Sequence, residues 1–199
     1  KYVEIEGIGR MPSPGDPDVR FLTGGVFRLF FTSAAPGSRT PGIYYADGTD
    51  GIHFVFQGPA FTREGDLIID SFTAPVGDAW HMYTLGDSVA NLWHAVSPDG
   101  RAFTFHDHPE FVIGGRPYIP TNEIALADGR TRFFAFGPGP QGDIRSFVTS
   151  DGYTWEAEPG VRLSLDTSAG LESEFVKDAA VIRLSDGTYL MVYVTLIPL

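Results

Sequence analysis

The sequence predicts an all-β chain built from repeated four-stranded antiparallel sheets, the arrangement of a β-propeller. Three observations predict it. An Asp-Gly pair followed by an aromatic residue recurs about every fifty residues. A second series of Gly- and Asp-containing turns joins short runs of aromatic and β-branched residues. No long amphipathic helical pattern occurs, and residues 169–180 are the best candidate for a helix, of one or two turns.

The Asp-Gly series is typical of tight turns between strands. Glycine takes a positive φ without steric cost, and the Asp carboxylate can accept hydrogen bonds from the amides of the turn. The aromatic residue then opens the next strand and is predicted to be a packing residue. The three copies are Asp50-Gly51 with Phe54, Asp99-Gly100 with Phe103, and Asp151-Gly152 with Trp155.

The second series of turns completes the repeat. Each of these turns joins two strand-like runs and predicts a β-hairpin. Together the two series give a meander of four strands. The turns lie at Gly24-Gly25, Gly77-Asp78, Asp128-Gly129 and Asp186-Gly187.

The repeats fall within a single domain that spans residues 1–199. Their expected limits are about 16–60, 68–110, 119–160 and 176–199, and the fourth repeat is incomplete. Residues 2–6 are expected to supply a strand that closes the ring of a four- to five-bladed propeller. The alternatives are a larger propeller, or pairing with another chain through the incomplete fourth repeat.

Charge and composition exclude several classes of partner. The formal net charge is -11 and Lys and Arg are not clustered, so neither nucleic acid nor an anionic membrane surface is an expected partner. No apolar run approaches the roughly 18 residues of a spanning helix. The absence of cysteine excludes disulfides and thiolate metal sites but leaves the compartment open. A secreted or periplasmic location is favoured over a cytoplasmic one.

Acidic residues recur near the start of the first strand of each repeat. In a propeller the innermost strands line the central channel, where side chains of different blades converge. The four strands begin in "GDPDV", "IIDSFT", "PTNEIAL" and "VKDAAV". The residues concerned are Asp16, Asp70, Glu123 and Asp178.

The segments "DPDV", "FRLFFT" and "GIYYADGTDGIHF" resemble the five-bladed propeller glycosidases of the arabinanase and β-xylosidase type, with their invertase and levansucrase relatives. The resemblance covers most of the chain. It implies a glycoside hydrolase that acts on a furanoside or pentose-containing glycan, without a cofactor. It also implies that Asp16 is the general base or nucleophile, that Asp70 tunes and orients, and that Glu123 is the acid.

The acid has alternatives. Alignment of the apolar residues of "TNEIAL" on "DPDV" places Thr121 opposite Asp16, so Glu123 lies two residues further on. Alternation along a strand would keep Glu123 on the same face as Thr121. Glu174 and Asp178 are the other candidates, although Asp178 also fits a structural role repeated with the blade. A carboxyl separation of about 6.5–9.5 Å would indicate inversion, and about 5–5.5 Å retention.

Other polar and aromatic groups receive structural interpretations. His106 and His108 could share one face of an extended segment and bind a metal with Glu110, but an exposed polar loop is the commoner explanation, and no metal site is predicted. Trp80, His81, Trp93 and His94 are assigned to packing between sheets. The alternative function is a non-catalytic propeller that binds carbohydrate or another protein, with self-association through the incomplete repeat.

Overall fold

A computed structural model describes residues 2–5, 9–12, 14–35, 38–88, 91–139, 142–168, 170, 172 and 174–197. The chain divides into two compact units, Lys1–His108 (unit 1) and Pro109–Leu199 (unit 2). Every regular element in the described ranges is a β-strand, so the short helix considered for residues 169–180 is not found there. The described residues therefore contain no helix of the length and apolarity needed to cross a membrane.

Unit 1 contains two four-stranded antiparallel sheets, each a meander in sequence order, and one additional hairpin. The hairpin pairs β1 (Tyr2–Ile5) with β2 (Gly9–Pro12). The first sheet consists of β3 (Gly15–Leu22), β4 (Val26–Ser33), β5 (Gly42–Gly48) and β6 (Val55–Phe61). The second consists of β7 (Ile69–Val76), β8 (Ala79–Leu85), β9 (Leu92–Ser97) and β10 (Thr104–Asp107).

Unit 2 contains one larger antiparallel sheet and two two-stranded ones. The small sheets pair β11 (Val112–Ile113) with β12 (Arg116–Pro117), and β18 (Val176–Arg183) with β19 (Tyr189–Thr195). In the larger sheet β16 and β17 both pair with β15. Its strands are β13 (Ile119–Ala125), β14 (Thr131–Phe136), β15 (Asp143–Thr149), β16 (Glu156–Ala157) and β17 (Leu163–Ser164).

The predicted fold class, an all-β propeller of four-stranded antiparallel blades, is confirmed. The Asp-Gly turns adopt the expected geometry, with φ of 74° at Gly152. Asp151 accepts hydrogen bonds from the amides of Tyr153 and Thr154 at 2.8 and 2.9 Å. These amides hold the pKa of the Asp151 carboxyl below its usual value.

The aromatic residues that follow these turns pack as expected. Phe103 meets Phe30 edge to face, with ring centroids 5.9 Å apart, and belongs to the core between the two sheets of unit 1. In unit 2 the Trp155 ring lies 4.6 Å from that of Phe111. The repeated turn thus positions one large apolar side chain directly before the strand that follows it.

The N-terminal strand pairs locally. β1 forms its ladder with β2, from Tyr2 opposite Pro12 to Ile5 opposite Gly9. Glu6 lies outside the described residues. Closure of the ring by residues 2–6, like the single domain over residues 1–199, stays a prediction.

The strands β3, β7, β13 and β18, which begin the sheets of the four predicted repeats, each carry a β-bulge near the start. In β3 the pairing passes from Gly15 opposite Thr32 to Asp18 opposite Phe30, so the first strand holds one extra residue. β7 shows the same shift around Asp70, and β18 around Asp178. In β13 the extra residue is Thr121. A bulge bends the strand and redirects the side chains within it.

Aspartate occupies three of these bulges in a left-handed backbone conformation. Asp16, Asp70 and Asp178 have φ of 51°, 55° and 50°, and among the described residues no other non-glycine residue has a positive φ. This conformation costs most L-residues about 1–2 kcal/mol, whereas Asn and Asp adopt it more readily. The backbone alone therefore favours Asp, Asn or Gly at these positions.

A buried arginine joins the two sheets of unit 1. Arg28 in β4 is 2% exposed and binds both carboxylate oxygens of Asp47, at 2.8 and 2.9 Å. Its Nη1 group donates to the carbonyl oxygens of Asp99 and Gly100, at 3.2 and 2.9 Å, in the Asp-Gly turn of the second sheet. A Cβ at Gly100 would lie 2.7 Å from the Trp80 ring, so this turn is packed as well as hydrogen-bonded.

Replacement of Arg28 by Met is expected to lower the free energy of unfolding by about 3 kcal/mol, because the partly buried Asp47 carboxylate loses its counter-ion and the carbonyl groups of Asp99 and Gly100 lose their donor. Urea denaturation measures the change. Arg130→Met is the matched control, since Arg130 forms an exposed pair with Asp128 at 2.8 Å. Equal losses in the two variants would contradict the structural role given to Arg28.

The left-handed backbone at Asp178 predicts a second stability difference. Asp178→Ala is expected to be less stable than Asp178→Asn by about 1 kcal/mol, and Asp178→Gly is expected to avoid the steric part of this cost. All three variants lose the ion pair with Lys177, which joins Nζ and Oδ2 at 2.9 Å, so the comparison isolates the backbone. Denaturation midpoints that rank Ala level with Asn would refute this explanation.

Candidate active site

In unit 1 the first strands of the two sheets, β3 and β7, lie side by side. The Thr73 amide donates to Asp18 Oδ2 at 2.8 Å, and the Thr73 hydroxyl donates to the same oxygen at 2.5 Å. Arg20 Nε donates to the Thr73 hydroxyl at 3.0 Å and lies 3.2 Å from Asp18 Oδ1. The Asp18 side chain in β3 thus supplies the acceptor that the Thr73 amide requires, because β7 is an edge strand of its sheet.

The bulges of Asp16 and Asp70 lie at the same end of their strands. The Asp70 amide donates to Thr32 Oγ1 at 2.9 Å. Thr32 is the cross-strand partner of Gly15, which directly precedes Asp16. Asp16 is exposed and Asp70 is half-buried. The structure therefore brings the two predicted aspartates to equivalent positions on neighbouring strands.

Asp16 and Asp70 share one local setting. Each lies in a bulge, where the side chain leaves the regular alternation of the strand. A pair of carboxyl groups that flank one bond can divide acid, base and nucleophile roles between them. The catalytic use of Asp16 and Asp70 stays a prediction.

In unit 2 the strands β13 and β18 are joined in the same way. The Thr121 hydroxyl donates to the Ala179 carbonyl at 3.0 Å, and the Val181 amide donates to Asn122 Oδ1 at 2.7 Å. Asn122 therefore does for β18 what Asp18 does for β7. Thr121 occupies the bulge of β13.

Glu123 follows directly after this linkage. It pairs with Phe133 in the ladder between β13 and β14 and is half-buried. The alternation expected between Thr121 and Glu123 is interrupted, because Thr121 and Asn122 are adjacent and yet both contact β18. The bulge causes this departure. The assignment of Glu123 as the acid stays a prediction.

The alternative acids lie near the start of β18. Glu174 lines a cleft of about 610 Å³ in unit 2 together with Phe136, Leu165, Phe175 and Lys177. Lys177 Nζ also lies 2.9 Å from Asp178 Oδ2. Glu174 is exposed and shares the cleft with Lys177, and Asp178 is paired with that cation.

A further glutamate of unit 2, Glu172, could not be identified from the sequence. Glu172 is 6% exposed and accepts hydrogen bonds from the Asp166 amide, at 2.7 Å, and from the Tyr193 hydroxyl. The bond to the carboxylate raises the pKa of Tyr193. Glu172 fastens the preceding loop to β19, a long-range contact that no periodic pattern could indicate.

His106 and His108 contact different neighbours. His108 Nδ1 contacts the Leu92 carbonyl at 2.8 Å, and its ring lies 4.5 Å from that of Trp93. The His106 ring instead meets the His94 ring at 5.2 Å. The pairing of β10 shifts between Phe105 and Asp107, directly before His108. Glu110 is exposed.

His81 and His94 pack between aromatic rings, as assigned from the sequence. His81 Nδ1 and His94 Nε2 lie 2.9 Å apart, and Tyr83 stacks on His94 with centroids 4.8 Å apart. Burial lowers the pKa of His94 to about 4. The imidazole is therefore neutral at neutral pH.

Comparison with known proteins gives structural relatives only. No known protein-family profile and no curated protein matches the sequence. A thermostable family-43 glycoside hydrolase superposes with a TM-score of 0.69 at 18% identity, over 90% of this chain and 64% of that chain. The α-L-arabinofuranosidase from Lactobacillus brevis gives 0.65 at 11%, over 94% and 69%. The β-1,2-mannobiose phosphorylase from Listeria innocua gives 0.69 at 17%, over 92% and 55%.

These likenesses establish the fold. The identities are low, and the chain spans 64% of the length of the family-43 hydrolase and 55% of that of the mannobiose phosphorylase. The resemblance to propeller glycosidases predicted from the sequence is confirmed at the level of architecture. The chain has the propeller fold shared by these glycosidases and phosphorylases.

Proposed function

We propose that the chain hydrolyses a glycosidic bond in a furanoside or pentose-containing glycan through carboxylates at the starts of its first strands. The observation that carries the proposal is the placement of Asp16 and Asp70 in equivalent bulges at one end of β3 and β7. The shared fold with glycosidases, one of them an α-L-arabinofuranosidase, supports the substrate class.

The proposed roles follow from exposure and neighbours. Asp16 is exposed and can meet either a water molecule or the sugar carbon, as a general base or nucleophile must. Asp70 is half-buried and its amide is fixed by Thr32, which suits a group that orients the reacting centre. Glu123 is the proposed acid, and Glu174 and Asp178 are the alternatives.

Replacement of Asp16 by Asn is expected to lower the rate by about 10²- to 10⁴-fold, because Asn removes the charge and still tolerates the left-handed backbone. Release of sugar or aglycone is measured on arabinosides, xylosides, fructosides and β-1,2-mannobiose, with and without inorganic phosphate. Asp186→Asn, in an exposed turn, is the control. Equal rates for the wild type and Asp16→Asn would refute the proposal, and a strict requirement for phosphate would replace hydrolysis by phosphorolysis.

The acid is identified by leaving-group dependence. Loss of the acid is expected to slow substrates with a poor leaving group far more than activated aryl glycosides, which need little protonation. Glu123→Gln, Glu174→Gln and Asp178→Asn are compared on both substrate types. If Glu123 is the acid, only Glu123→Gln should lose more rate on substrates with a poor leaving group than on aryl glycosides. The same difference in Glu174→Gln or Asp178→Asn would assign the acid to that residue instead.

A second candidate function, an interaction propeller that self-associates, is favoured by the two-stranded sheet of β18 and β19. Several of its apolar side chains are exposed, and β19 pairs only with β18 in the described part of unit 2. An uncovered sheet of this kind invites strand addition. The exposed side chains are Ile182, Tyr189, Leu190, Val192 and Val194.

Self-association through this sheet predicts a dimer or larger species that Val192→Lys shifts towards the monomer, because a charge would be buried in the contact. Sedimentation velocity at several concentrations measures the distribution. Ile52→Lys is the control, since Ile52 is an exposed apolar residue elsewhere. A wild-type protein that is monomeric at every concentration would exclude this interface.

A further inference from the structure

A bulge in β10 gathers three metal-binding side chains in unit 1. Asp107 is the cross-strand partner of His94 in β9, and Phe105 pairs with the next residue, Ala95. His106 is therefore the extra residue between two consecutive pairs. Regular alternation would send His106 and Asp107 to opposite faces, but the bulge lets both reach His94.

The distances between the donor atoms suit a single ion. His94 Nδ1 lies 2.9 Å from Asp107 Oδ1, and His106 Nε2 lies 3.9 Å from Asp107 Oδ2. One ligand atom of each residue lies within 4.8 Å of the other two. Tetrahedral zinc with bonds of about 2.0–2.1 Å places its ligands roughly 3.3 Å apart. Small side-chain rotations would bring the three atoms to that spacing.

His94 is held in the orientation that a metal ligand requires. It is fully buried, Tyr83 stacks on it, and its Nε2 lies 2.9 Å from His81 Nδ1. Metal-binding histidines commonly donate their other ring N–H to a fixed partner. With a metal at Nδ1 the imidazole proton resides on Nε2, where His81 Nδ1 accepts it.

The other two ligands open the cluster to solvent. The side chains of His106 and Asp107 are each 47% exposed. An ion can therefore enter without unfolding of the strand, and water can complete its coordination. The cluster thus combines one rigid, buried ligand with two accessible ones.

We propose that His94, His106 and Asp107 bind a zinc ion, with His81 as the positioning residue for His94. Two imidazoles and one carboxylate are ligands that zinc accepts readily, and the sequence has no thiolate that would favour a softer ion. The ion would connect β9 to β10, the last strand of its sheet. This proposal is independent of the glycosidase function.

Zinc titration of the untagged protein against a chromophoric chelator tests the site. We expect one zinc per chain and a higher melting temperature with zinc than without it. His106→Ala and Asp107→Asn are expected to weaken binding by at least about 10-fold and to abolish the thermal shift. Both residues are half-exposed, so these variants should fold, and circular dichroism of the zinc-free proteins verifies this.

Two further histidines provide controls. His53→Ala should leave zinc affinity unchanged, since His53 is 86% exposed and pairs with Asp50 in a separate turn. His108→Ala should also retain binding, because His108 contacts Leu92 and Trp93 instead. A wild-type protein that binds no zinc, folded His106→Ala and Asp107→Asn proteins that bind it normally, or a loss confined to His108→Ala would each overturn the proposal.

Discussion

Neighbouring sheets of one unit meet at strand edges whose backbone amides still require acceptors, and this requirement organises the molecule. A side chain meets it in both units. Asp18 accepts from the Thr73 amide in unit 1, and Asn122 accepts from the Val181 amide in unit 2. These bonds fix how far one first strand slides along the next. The relative positions of Asp16 and Asp70 follow from that register.

The extra residue of a β-bulge interrupts the regular alternation of side chains along a strand. Asp16 and Asp70 occupy such bulges in a backbone form that few residues tolerate. In β10 the same device brings His106 and Asp107 to one imidazole. A bulge therefore concentrates polar groups in two parts of unit 1 without interrupting the packed sheets, because the ladder resumes after one residue.

The fold was predictable because its determinants are local. Glycine and aspartate specify the turns, and each Asp-Gly turn places an aromatic residue such as Trp155 by a fixed spacing. Asp16 and Asp70 could be proposed from their positions at strand starts. The relation of Thr121 to Glu123 and that of His106 to His108 could not, because both arguments assume unbroken alternation. His94 and Glu172 depend on partners distant in sequence, which no local pattern reveals.

The hydrogen bonds that Arg28 donates to backbone carbonyl groups limit where the chain can tolerate insertions. The turn at Asp99 and Gly100 is bound by a cation from another sheet and pressed against Trp80. A longer turn would remove the carbonyl acceptors of the buried Arg28 guanidinium, although the hairpin of β9 and β10 could still form. The Gly24-Gly25 turn is not packed in this way, since a Cβ at either glycine would meet no atom within 4 Å. Inserted loops, peptide tags or new chain termini therefore belong at the latter turn.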